Sequence, residues 1–225
     1  LSHRKLKKQV LELLVSGDFQ DAVETLCTLP GRQVVNPLFS FLYDGRFLIR
    51  WRAVAAMGSV VSTLARTELE SARVVMRRLL WNLNDESGGI GWGSPEAMGE
   101  IMAKSERLSR EYAHILVSFV NPGGNFLEHE MLQRGVLWGI GRLSNTRPER
   151  TVDAVRFLLP FLQSPDPNHR GLAAWALAPI ATSKEIDTIS TLLNDATEIQ
   201  LFMDGVQVVS TVGQLASEAI AQIQA

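Results

Sequence analysis

The residues best suited to do chemistry in this chain are tryptophans that recur at matched places, each with a charged side chain close by. Trp51 and Trp92 stand seven places after Asp44 and Asp85, and Trp138 and Trp175 stand eleven places after Leu127 and Ser164. Seventh and eleventh places are one turn apart on a helix and so share a face. Arg52 adjoins Trp51, Glu96 and Glu100 follow Trp92, and Arg134 and Arg142 flank Trp138 four places to either side. Indole rings with arginine supply large contact area and directional hydrogen bonds, the chemistry of recognition rather than of bond making. Trp51, Arg52, Trp92, Glu96, Glu100, Arg134, Trp138, Arg142 and Trp175 are therefore the candidate contact set, with a protein or peptide segment as ligand. The competing reading is plain packing: an indole is costly to expose, and surface charges pair with one another.

Other chemistries are less well furnished. Gly88, Gly89, Gly91 and Gly93 lead into Ser94-Pro95, which reads as a loop feeding a helix with Ser94 as cap and Pro95 in the first helical place. Such a loop can cradle phosphate. No Lys-Ser/Thr follows it, however, and Glu96 already puts a negative charge at the helix end. The glycines are better explained by close approach of the backbone to a helix or ligand, with Trp92 held over it. His129 lies between Glu128 and Glu130, whereas His3, His114 and His169 have no adjacent Glu, so one His-Glu pair is the whole case for a metal. Cys27 has no histidine near it in sequence, and no elbow surrounds a nucleophilic serine. No catalytic residue and no cofactor is expected.

Composition narrows the partners. With 22 basic and 24 acidic residues, a net charge of -2 offers a nucleic-acid backbone no general attraction. The basic cluster Arg4, Lys5, Lys7 and Lys8 reads as a solvated helix face. A single cysteine leaves no internal disulfide and suits a reducing compartment, so a cytoplasmic protein is expected. No apolar run of about eighteen residues suggests a membrane span. At 225 residues, 46% of them hydrophobic, one continuous domain over 1–225 is expected.

The elements that must hold the tryptophans are helices. Leu6, Val10, Leu13 and Leu14 share one face, and a second apolar stripe opens at Ala22, Val23 and Leu26. Pro30-Gly31 breaks the pattern, Pro37 kinks or restarts the next helix, and 47–64 reads as one long helix with small residues where a neighbour can approach. Ala56-Met57-Gly58 recurs as Ala97-Met98-Gly99, Gly139-Ile140-Gly141 and Ala176-Leu177-Ala178, at steps of 41, 42 and 37. Two amphipathic helices per unit at that spacing, with no strand alternation, mark a helical-hairpin solenoid.

Asp44-x4-Ile49-Arg50-x5-Ala56-Met57-Gly58, together with 164–178, resembles the HEAT-like repeats of the phycobilisome-lyase type. The resemblance spans most of 38–198, with 1–37 as capping helices. It implies a right-handed all-α solenoid in which the tryptophan places face a concave groove, while Ile49, Ala56, Met57 and their equivalents form the core. Gly91 and Gln133 stand where such repeats carry arginine, and Leu127 replaces the turn aspartate. The family includes proteins that attach bilins, so a small-molecule pocket at the 88–93 loop is the alternative to a protein-binding scaffold. A metal-dependent enzyme on such repeats is the third reading.

Near the C-terminus 199–203 and 206–212 are extended-type runs flanking Asp204-Gly205, the signature of a two-residue hairpin. A terminal helix follows within 199–225. The hairpin is expected to cover the open end of the solenoid, or to offer its edge to a partner strand.

Overall fold

The structure, a computed structural model, describes residues 2–84, 91–203 and 205–225. The chain separates into two compact units, 1–109 and 110–225.

The first unit is three helical hairpins: α1 (His3–Leu14) with α2 (Phe19–Thr28), α3 (Gly31–Phe41) with α4 (Phe47–Thr67), and α5 (Leu69–Trp81) with α6 (Ser94–Lys104). Ser2 and Asp18 start the first two by accepting the backbone N–H groups of Lys5 and Asp21. Leu6, Val10 and Leu14 then bury one stripe of α1. Pro37 sits inside α3 without ending it.

Helix α4 packs against α2, α3, α5 and α6, which is why it is apolar nearly all round, with Ile49, Ala53, Ala56, Met57 and Val61 buried. Its 21 residues are long and apolar enough to cross a membrane by length and composition, which corrects the expectation of no such run; 61% of its most apolar window is buried inside the protein. Fully burying a side chain such as Met57 or Met98 stabilises the fold by about 1.5–3 kcal/mol. The α4–α6 contact closes at Gly58, where an added Cβ would overlap the Glu100 side chain.

The second unit holds all but the first turn of α7 (Glu106–Ser118), then α8 (Glu130–Ser144), α9 (Val155–Leu158), α10 (Pro167–Leu177), α11 (Ile186–Ser190) and α12 (Val212–Gln224), with 3-10 turns at 148–150, 152–154, 159–163 and 183–185. Helix α10 packs between α8 and α12. Asp166 caps it, with Pro167 in the first helical place. Between α11 and α12 the chain makes an antiparallel hairpin, β1 (Glu198–Met203) and β2 (Val206–Thr211), with Met203 opposite Val206. Gly205 takes φ +88°, as the two-residue connection requires; Asp204 lies outside the described residues. The hairpin packs on the flanks of α10 and α12. Ile199 of β1 seats against Gly171 of α10, where a Cβ would overlap it.

Candidate functional site

The sequence placed four indoles at equivalent points of one face, and the structure gives them unequal environments. In the first unit Trp51 is buried at 8% exposure, its ring 6.0 Å from that of Phe47 one turn earlier, whereas Trp92 is 38% exposed. Arg52 is not a free contact residue. Its Nη1 donates to the carbonyls of Leu14 and Ser16 at 2.9 and 2.7 Å, and its guanidinium lies 4.8 Å from the centre of the Phe19 ring. It thus clamps the turn between α1 and α2 onto α4. Glu100 is buried beside Gly58 and pairs with Lys104 at 3.4 Å.

Trp92 stands just before α6. Gly93, at φ +76°, is the N-cap in place of Ser94, so the helix begins one residue earlier than expected; Ser94 is buried and accepts from the Asn82 side chain. Gly91, at φ +66°, backs onto the Asn82 carbonyl, and Gly93 backs onto Leu42. Any side chain at either position would meet both an unfavourable backbone conformation and a neighbouring atom. Gly88 and Gly89 lie outside the described residues.

Glu96 occupies the third place of α6, at the same helix end as Trp92. Part of its side chain is exposed, yet Oε2 is shielded from solvent and has no hydrogen-bond partner among the described residues. Burial pushes its carboxyl up to about 7, against the opposing pull of its own backbone N–H and of Arg50.

In the second unit Trp138 is buried at 4% exposure because the β-hairpin lies over it: its Nε1 donates to the Phe202 carbonyl at 3.0 Å. Trp175 is half-buried, its ring 6.2 Å from that of Trp138 and lying over Gly141, where a Cβ would overlap it. Arg142 is half-buried on α8. Arg134 donates from Nε to Asp166 at 2.6 Å. The same pattern recurs one hairpin later, where Arg170 donates to Asp195 at 2.7 and 2.8 Å. Burial raises the Asp166 and Asp195 carboxyls, but hydrogen bonds from Asn168 and Arg134, and from Thr197 and Arg170, outweigh it and hold both below the usual range. Arg134 is thus a rung tying successive hairpins together. Gln133, the apparent departure from the repeat, does part of an arginine's work: it donates to the carbonyl six residues earlier, Leu127, at 2.7 Å, as Arg170 does to that of Ser164 at 2.8 Å.

The expected trough of four equivalent indoles is therefore corrected. Trp51 and Trp138 are packed, Arg52 and Arg134 brace the repeats, and Trp92 remains exposed at the start of α6, whose first turn holds the half-buried Glu96. His129 is exposed, and no group of three or more His, Cys, Asp or Glu among the described residues could hold a metal ion.

Sequence reasoning missed a cavity in the second unit. It measures about 430 Å³ and is walled by Phe126, Phe157, Pro160 and Phe161, with Glu130, Arg156 and His169 among its polar neighbours. These residues come from the loop before α8, from the first residue of α8, from α9 with its 3-10 extension, and from α10. The 3-10 geometry around Pro160 takes them off any helical period, so only their density of Phe and Pro could have signalled it. A smaller cavity of about 280 Å³ separates α3 from α5 in the first unit.

Comparison with known proteins bears on the architecture. Residues 130–180 match the family profile of the HEAT-like repeat. An uncharacterized protein of Archaeoglobus fulgidus is 26% identical over 177 residues, which covers 78% of this chain and 89% of that protein. An engineered protein superposes with a TM-score of 0.55 at 18% identity, over 98% of this chain and 96% of its own. A designed armadillo repeat protein in complex with the peptide (KR)4 gives 0.52 at 17% identity, over 97% and 99%. Computationally designed armadillo repeat proteins for modular peptide recognition give 0.51 at 17% identity, over 96% and 99%. The fold is that of the HEAT and armadillo solenoids, with a two-stranded antiparallel sheet near the C-terminus.

Proposed function

We propose that this chain is a non-catalytic scaffold that grips a protein or peptide segment at the N-terminal end of α6, with Trp92 as aromatic anchor and Glu96 as counter-charge for a lysine or arginine of the partner. The observation that carries this reading is the Glu96 carboxyl, whose Oε2 is shielded from solvent with no hydrogen-bond partner among the described residues, at the helix end where the exposed Trp92 stands. Leaving a buried carboxylate oxygen unsatisfied is costly, and structures retain such an atom where something else completes it. A cation arriving at the exposed flank of the side chain would stabilise its ionised form, while the Trp92 ring offers a cation–π face. The solenoid fold, shared with repeat proteins designed to recognise peptides, suits an extended partner. We assign the repeats to the phycobilisome-lyase type on the strength of Asp44-x4-Ile49-Arg50-x5-Ala56-Met57-Gly58.

Titration with the peptide (KR)4 and with an acidic Glu-Asp peptide of the same length, followed by tryptophan fluorescence and calorimetry, tests the proposal. The basic peptide binds and the acidic one does not; Trp92→Ala and Glu96→Gln each weaken binding at least about tenfold, or about 1.4 kcal/mol, while the helical circular dichroism is retained. Equal binding of both peptides, or binding indifferent to both substitutions, would sink it.

A further inference from the structure

The cavity of the second unit combines an apolar interior with two opposite charges that have no salt-bridge partner among the described residues. Phe126 is 37% exposed at its mouth, Phe157 is half-buried, and Phe161 is buried at 9% exposure, its ring meeting the His169 imidazole edge-on at 5.5 Å. His169 also fixes the wall. Its ring nitrogens lie 3.0 Å from Ser164 Oγ and 3.2 Å from the Glu130 carbonyl, which ties the first turn of α8 to the cavity. Donation from Nε2 to that carbonyl leaves Nδ1 to accept from the serine hydroxyl.

Glu130 and Arg156 both line this cavity and are both exposed. Arg156 lies over the neighbouring Phe157 ring at 4.6 Å, and neither side chain forms an ion pair with a described residue. Elsewhere in the unit exposed-to-buried arginines are paired, as Arg134 with Asp166 and Arg170 with Asp195. The volume falls within the range of small-molecule sites, in which an apolar wall takes the body of a ligand and a few polar groups orient it.

We infer that this cavity is a binding site for a small zwitterion with an apolar side chain, of the class of hydrophobic amino acids. The side chain lies against Phe126, Phe157 and Phe161, Arg156 receives the carboxylate through its guanidinium fork, and Glu130 receives the ammonium. A ligand with one charge would leave the other rim charge unanswered, which is what separates this class from a simple aromatic acid or amine. The site lies within the second unit and is independent of the Trp92–Glu96 reading.

The test is calorimetric titration of the full chain with L-phenylalanine, 3-phenylpropionate and 2-phenylethylamine. L-Phenylalanine binds at least about tenfold more tightly than either analogue. Glu130→Gln and Arg156→Gln each reduce its affinity by about tenfold or more. Arg156→Gln leaves 2-phenylethylamine unchanged and Glu130→Gln leaves 3-phenylpropionate unchanged, because each analogue lacks the group that the lost charge would meet. Both residues are exposed, so thermal melts of the variants match the wild type. Equal affinity for all three compounds, indifference of L-phenylalanine to both substitutions, or no saturable binding of it at about 10 mM would each overturn the inference.

Discussion

Glu96 makes a prediction about stability that needs no partner. Its carboxyl is raised from 4.5 to about 7 because burial disfavours the charged form. Between those values the folded state holds a proton that the unfolded chain has released, so stability falls as pH rises from about 4.5 to about 7 and then levels off. At about 1.4 kcal/mol per pH unit the interval amounts to about 3 kcal/mol, an upper figure because part of the side chain meets solvent. Glu96→Gln keeps the shape and cannot ionise. Urea denaturation of both proteins at half-unit steps from pH 4.5 to 8.5 isolates the effect, since every other titrating group cancels in the difference. The wild type should lose stability relative to the variant by up to about 3 kcal/mol across that range. A difference that stays flat with pH would show that the carboxyl is ordinarily solvated, and would remove the main support for the α6 site as well.

Other substitutions separate packing from recognition. Trp138→Ala removes a buried ring and its bond to the Phe202 carbonyl and should cost about 3–5 kcal/mol in denaturant unfolding, whereas Trp92→Ala should cost under about 1 kcal/mol. Gly141→Ala drives a methyl into the Trp175 ring and should destabilise by about 1–3 kcal/mol, with a shift in tryptophan emission as the ring moves. Arg134→Gln and Arg170→Gln should each cost about 2 kcal/mol at neutral pH. Asp166 and Asp195 are held low in the folded state, so the stability they contribute is present above about 4 and is lost as pH falls through their folded values. The deficit of these two variants should therefore shrink on acidification, measured by urea melts down to pH 2.5.

The helical architecture was legible because it rests on local rules. The recurrence of Ala-Met-Gly-like triplets, the stripe Leu6, Val10, Leu14 and the hairpin residues around Gly205 each specify a neighbour-to-neighbour geometry that survives in any context. Gly91 and Gly93 were legible as points of close backbone approach for the same reason, although the cap fell on Gly93 rather than Ser94.

Which side chains were left open to a partner was a different kind of question. Trp51, Trp92, Trp138 and Trp175 hold matched places in the repeat, and periodicity treats them alike. Their exposures differ because distant segments decide them: the β-hairpin, more than sixty residues on, seals Trp138, while Trp92 keeps 38% of its surface exposed. Arg134 looked like a contact residue until Asp166 of the next hairpin came within 2.6 Å. The chain by itself determined the repeat, its helices and its turns, since these follow from spacing along one strand of polymer. Only tertiary packing decided burial, pairing and the cavity at Phe126, Phe157 and Phe161, because each depends on which residues far apart in sequence exclude water from one another.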